Sequence, residues 1–319
     1  PWQSALNIGT LRGQMTKIVL DTNVIRHLGA GELDATVFAS LERPAFSVHL
    51  SDAAATELIA ALCSERFPWD QWVSARSTLQ STLCSAEPIL LGNQQGLQLV
   101  GVPVARKRSP EELDSDKRRL MAAWHHLCDV SSLDELLSVQ RSVPPEGAIA
   151  FDSDLVAKVV AKEHRDWSIS VDGFRNNLLE TVPHVREVLP PRGDSIEAIN
   201  ICIAAAKPEL DADFEEPGTP PPVRMDAFLR GCAMFFLRRL RLKETYDPVK
   251  RANDLFDLDL LKYLSFPAVV CTSDGPLIAA VERAGSWQRR WIVRPGELAD
   301  GTMRSCLVDL TWPDGTAAA

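Results

Sequence analysis

The sequence predicts an α/β protein with a central parallel sheet and a large, mainly helical insertion. Three observations carry that prediction. Short apolar strands alternate with helical text near the start of the chain, the same alternation returns near its end, and the long middle is helical text cut by proline-rich breaks. With 319 residues, 45% hydrophobic and 24% charged, the composition is that of an ordinary globular protein. A chain of this length buries roughly 75% of the surface its unfolded form exposes, so folding alone requires no metal or disulfide.

Residues 1–14 carry little pattern and read as an N-terminal extension. Lys17-Ile-Val-Leu-Asp21 is a short apolar strand closed by a carboxylate, and Val24 to Leu28 turn into a helix. Leu33 to Leu41 read as a second short helix and Phe46 to Leu50 as a second strand. Ser51 or Asp52 then caps an alanine-rich helix, Ala53 to Cys63, that carries Glu57 well inside it. From 69 to 247 the text is helical, interrupted at Pro144-Pro145, Pro190-Pro191 and Pro217 to Pro222. The tract Leu210 to Pro222, acidic and rich in proline, reads as a loop with partial polyproline character. Asp226 to Lys243 and Val249 to Leu264 then read as amphipathic helices, and Pro267 to Thr272 as a buried strand leading to Asp274. Trp291 to Val293 and Cys306 to Leu310 are further strand candidates, with turns at Pro295-Gly296 and Asp300-Gly301. The two α/β parts therefore span 15–68 and 248–319, and the insertion spans 69–247.

Composition removes several function classes. The net charge of −9, from 43 acidic and 34 basic residues, argues against a chain-wide polycation that coats nucleic acid or anionic membrane. The strongest apolar runs, Ala198 to Ala206 and Gly231 to Leu237, are far shorter than the ~20 residues a spanning helix needs. Seven cysteines, an odd number without a CxxC pair, suit reduced thiols. The N-terminal text lacks the charged and apolar regions of a secretory signal, and the expectation is a cytoplasmic protein with no membrane partner. No GxxxxGK[ST], GxGxxG, HExxH or GxSxG motif occurs, which disfavours nucleotide-driven, dinucleotide, zinc-protease and α/β-hydrolase chemistry.

Acidic residues remain as the carriers of chemistry. Asp21 and Asp274 close two strands, Glu57 lies in a helix, and Asp254 and Asp257 begin a late helix at i and i+3, hence on one face. Catalytic groups of open parallel sheets gather outside the carboxyl ends of the strands. Several carboxylates share a site only when positive charge compensates them, and hard divalent cations with oxygen ligands provide it. Mg²⁺ or Mn²⁺ is the natural candidate, and its chemistry suits phosphodiester hydrolysis without a nucleophilic side chain.

In this ordered set the chain resembles the PIN-domain nucleases. The matching text is Ile18-Val-Leu-Asp21-Thr-Asn23, Ser51-Asp-Ala-Ala-Ala-Thr-Glu57-Leu, Asn253-Asp-Leu-Phe-Asp257 and Val269-Val-Cys-Thr272-Ser-Asp274. The resemblance covers about Lys17 to Cys63 and Ala252 to Val293 and leaves the long middle unmatched. It implies a three-layer PIN-like fold, metal coordination by Asp21, Glu57, Asp257 and Asp274 with Asp254 as an alternative or additional ligand, and support from Asn23 and Thr272. It also implies a metal-dependent ribonuclease acting on RNA, a toxin or defence effector restrained by an antitoxin, another regulatory protein or self-association into a homo-oligomer. Basic residues of the insertion, above all Arg238, Arg239, Arg241 and Lys243, are candidate contacts to the phosphate backbone. A DNA nuclease, and a non-catalytic RNA-binding or assembly module, are the alternatives. A phosphatase using Asp21 as nucleophile is disfavoured, because the second Asp two residues on that haloacid-dehalogenase-type enzymes carry is Asn23 here.

Overall fold

The computed structural model describes residues 16–39, 41, 45–90, 109–141, 195–212, 225–242, 253–265 and 268–308. Five strands form one all-parallel sheet: β1 Thr16–Leu20, β2 Phe46–Ser51, β3 Ile89–Leu90, β4 Ala268–Cys271 and β5 Ile292–Val293. Their order is β3-β2-β1-β4-β5. The chain starts in the middle, builds outward through β2 and β3, and later returns to lay β4 on the other side of β1. Between β1 and β4 the winding reverses, and at such a switch point the loops leaving the strands diverge and open a crevice at their carboxyl ends.

Both faces of the sheet are covered, which is why its central strands read as unbroken apolar runs. Successive side chains alternate between two cores. Ile18, Leu20, Val48, Leu50, Val269 and Cys271 face one core, whereas Val19, Ala268, Val270 and Ile292 face the other. The first core is closed by helices α1 Thr22–Gly29, α2 Thr36–Ala39, α3 Asp52–Cys63, α4 Trp69–Thr82, α5 Pro110–Asp129 and α6 Leu133–Arg141. The second is closed by α7 Ile196–Ala212, α8 Asp226–Leu242, α9 Asn253–Lys262 and α10 Gly275–Arg283. A final helix, α11 Gly301–Val308, contributes Leu307 to the first core. Gly29 lets α1 and α4 approach closely, since a Cβ there would stand 2.5 Å from the Gln71 carbonyl oxygen. Trp72 of α4 meets Trp124 of α5 edge to face, with ring centroids 6.2 Å apart.

The structure departs from the sequence-based expectation in three places. Cys306 to Leu310 was expected as a strand, but 301–308 is helical because Asp300 caps it: its carboxylate accepts from Thr302 N at 2.8 Å and its carbonyl from Arg304 N at 3.0 Å. The expected helix over Leu33 to Leu41 shrinks to α2, held at its start by Asp34, which accepts from Thr36 N at 2.9 Å. Part of the segment read as an insertion also joins the α/β body, since β3 pairs with β2 and α4 packs on α1. A two-residue strand has too little periodicity to be seen in sequence.

The extension at 1–14, the proline-rich breaks named above, Lys243 and the side chains of Arg238, Arg239, Arg241 and Asp254 lie outside the described residues. Among the described residues no helix is long and apolar enough to cross a membrane.

Candidate active site

The site starts from register. Leu20 of β1 pairs with Cys271 of β4, so the next residues on each strand, Asp21 and Thr272, meet directly at the switch point. The backbone continues this pairing for one more step, Asp21 N donating to the Cys271 carbonyl at 3.0 Å. Asp21 has extended backbone and caps α1, its Oδ1 accepting from Thr22 N at 2.6 Å. Asp274 does the same for α10, its Oδ1 accepting from Leu277 N at 2.8 Å, with Pro276 in the first turn where no amide is needed. Two carboxylates are therefore fixed by helix starts on neighbouring strands.

Thr272 ties them together. Its hydroxyl donates to Asp21 Oδ2 at 2.6 Å and accepts from Asp274 N at 2.9 Å and from Asn23 Nδ2 at 3.2 Å. Asn23 closes the ring by accepting from Ser273 N on its Oδ1 at 2.9 Å. Thr272 is fully buried, so this network sets the Asp21 carboxylate in one position.

Glu57, five residues into α3, adds a third carboxylate. Burial pushes the Asp21 carboxyl up to about 6, against hydrogen bonds from Thr272 and Thr22 that pull it down, and the negative charges of Glu57 and Asp274 add to the rise. Three acidic groups thus act on one another at one end of the sheet. The sequence reading overlooked the cation among them: Arg26 Nη2 lies 3.4 Å from Glu57 Oε1, and its Nε is buried without a hydrogen-bond partner. Its signal was available, since Arg26 follows Asn23 by three residues and shares its helix face.

Asp257, on α9, lines a cavity together with Pro276 and Leu277 of α10. Asp254 belongs to the same helix. Among the described residues no three Asp, Glu, His or Cys side chains stand close enough to hold a metal ion between them. The donor set nonetheless suits a hard divalent cation in kind: its donors are all oxygen, and burial followed by like charge raises Asp21.

Four other described basic residues are engaged elsewhere. Lys117 pairs with Glu87 at 3.5 Å and Arg118 with Asp114 at 2.6 Å. Arg289 donates to the Ile292 carbonyl at 2.9 Å, and Arg290 lies over Trp287 and Trp291. Among the histidines, His49 is buried between Glu87 O and Ser47 Oγ, and burial pushes it down to about 4, which keeps it neutral.

Compared with protein-family models, curated proteins and solved structures, the chain matches none. Its class therefore rests on architecture: an α/β protein with a five-stranded, all-parallel sheet.

Proposed function

We propose that the protein is a metal-dependent ribonuclease, an endonuclease that hydrolyses RNA phosphodiester bonds at the carboxyl ends of β1 and β4. The observation that carries this reading is the placement of Asp21 and Asp274 at neighbouring strand ends of the switch point, tied through Thr272, with the charge of Glu57 acting on Asp21. Burial first, and then the charges of Glu57 and Asp274, disfavour the ionised Asp21, and a bound cation would offset both.

Asp21 and Asp274 would hold Mg²⁺ or Mn²⁺ with water and the substrate phosphate completing its oxygen shell, and Glu57 would add negative charge beside them. The metal would supply activation of water and neutralisation of charge developing on the phosphate. The chain's own residues do the positioning. Thr272 fixes the second oxygen of Asp21, and Asn23 pins the loop that presents Asp274. Arg26 partly neutralises Glu57 at 3.4 Å and stands within the acidic cluster as a cation that a phosphate oxygen can engage. RNA rather than DNA rests on the resemblance to PIN-domain nucleases, and so does control by an antitoxin or other regulatory protein.

A second reading, a non-catalytic RNA-binding or assembly module, draws on one observation. The described carboxylates are spent on helix caps, on Thr272 and on Arg26, and no three of them stand at metal-holding distance.

One experiment separates the readings: labelled single-stranded RNA and DNA incubated with the protein and its Asp21→Asn variant in Mn²⁺, Mg²⁺ or EDTA. The proposal expects metal-dependent cleavage of RNA that the variant lacks. DNA-only cleavage keeps the chemistry and changes the substrate, whereas RNA binding without cleavage, equal in both proteins, selects the module.

A further inference from the structure

Beside the acidic cluster, a cavity of about 140 Å³ that opens to solvent lies among α8, α9 and α10. Met234, Phe235, Leu261, Ala280 and Val281 make its walls apolar, and its lining reaches Pro276, an exposed residue two positions after Asp274. Among the described residues, Asp257 is the one charged residue in that lining.

We infer that this cavity receives an unpaired nucleobase of the strand whose phosphate lies at Asp21, Glu57 and Asp274; the inference deepens the nuclease reading and rests on it. Size supports the match: an apolar cavity of roughly 150 Å³ accepts a benzene ring, so this one accepts the six-membered ring of a base. Chemistry supports it too. Phe235 and Met234 offer aromatic and polarisable surface to a flat ring, while a carboxylate in the wall accepts N–H groups that bases carry and an acyl chain lacks. Position completes the argument, because one helix start supplies both Asp274 to the acidic cluster and Pro276 and Leu277 to the cavity wall. A base can enter only from an unstacked, single-stranded or looped segment, which excludes regular duplex as substrate.

The test measures binding rather than turnover. The full-length protein in EDTA is titrated with a fluorescein-labelled single-stranded RNA and with a series in which one abasic nucleotide is moved along the strand. One abasic position is expected to weaken binding about tenfold, the usual worth of a base held against an aromatic wall. Ala280→Phe, which fills the cavity, is expected to weaken the intact strand by a similar factor and to add nothing to the loss from that abasic position. Ala280→Leu serves the same purpose with a smaller intrusion should the larger side chain prevent folding. Equal tolerance of every abasic position overturns the inference without any variant, as does simple addition of the two losses. The two readings fail separately. Cleavage in Mn²⁺ with no abasic-sensitive position leaves the nuclease and removes the cavity, whereas an abasic-sensitive position without cleavage keeps the cavity and removes the nuclease.

Discussion

Two strand ends in this molecule begin alike and finish differently. After β2, Asp52 lies at the start of α3; its Oδ1 accepts from its neighbour Ala53 N at 2.8 Å and from the Tyr263 hydroxyl at 2.6 Å, and its own amide donates to that hydroxyl at 3.0 Å. Tyr263 is fully buried, and its phenol is held well above its ordinary value by that burial and by Asp52. After β1, Asp21 likewise caps a helix and accepts one hydroxyl, yet its charged neighbours are Glu57 and Asp274. Asp52 meets donors and becomes a structural tie between α3 and the turn that follows α9. Asp21 is buried beside further acids, and burial and their charge hold its carboxyl above the ordinary value. A carboxylate at the end of a parallel strand is therefore assigned by its neighbours' charge, not by its position.

The contrast can be broken most forcefully at Asp274. Asp274→Ala is expected to lower metal-dependent cleavage on the order of a thousandfold, because the metal contribution amounts to several kcal/mol, while Asp52→Asn is expected to leave the rate per folded molecule nearly unchanged. Equal losses in the two variants would erase the distinction. Next in size is Thr272→Val, which removes the hydroxyl shared by Asp21, Asn23 and the Asp274 amide. Loss of such a supporting group costs roughly 10- to 100-fold in metal affinity, readable by Mn²⁺ titration.

Tyr263→Phe sharpens the structural side. It removes the hydroxyl that donates to Asp52 and to the buried Leu90 carbonyl and accepts from the Asp52 amide, so urea denaturation should show a loss of about 1–3 kcal/mol. Cleavage by the folded fraction should stay constant. The most gradual effect concerns pH. Asp21 sits at about 6 in the folded protein against 3.8 ordinarily, so in EDTA its ionisation costs stability. The contribution is fully present below pH 4 and is lost as pH rises through 6, to a ceiling of about 3 kcal/mol. Asp21→Asn should flatten that fall in melting temperature between pH 4 and 7. An unchanged slope would show that Asp21 carries no such penalty.

Much of this was legible in sequence because the central strands are buried on both sides. Lys17 to Asp21, Phe46 to Leu50 and Pro267 to Thr272 stood out as apolar runs, and the structure places strands in each. The ends of β1 and β4 were legible as chemistry because Asp21, Asn23, Thr272 and Asp274 follow those runs immediately. What sequence could not show depends on distant pairing. Tyr263 and Asp52 are 211 residues apart, and nothing local marks either as the other's partner. β3 is too short for periodicity, and the apolar Cys-Leu-Val text at 306–308 resembled a strand until the Asp300 cap declared a helix. Asp257 illustrates a different gap. Helical spacing gave it a face shared with Asp254, but only the packing of α9 against α8 and α10 revealed that it lines a cavity.

The most direct measurement is a calorimetric titration of the protein with Mn²⁺ at pH 5, 6 and 7, repeated with Asp21→Asn. Binding should tighten as pH rises through about 6, with proton release that diminishes across that range as Asp21 ionises beforehand, and the variant should lose most of it. Mn²⁺ affinity that is absent at every pH, or that is the same in the variant, would contradict a metal site built on Asp21.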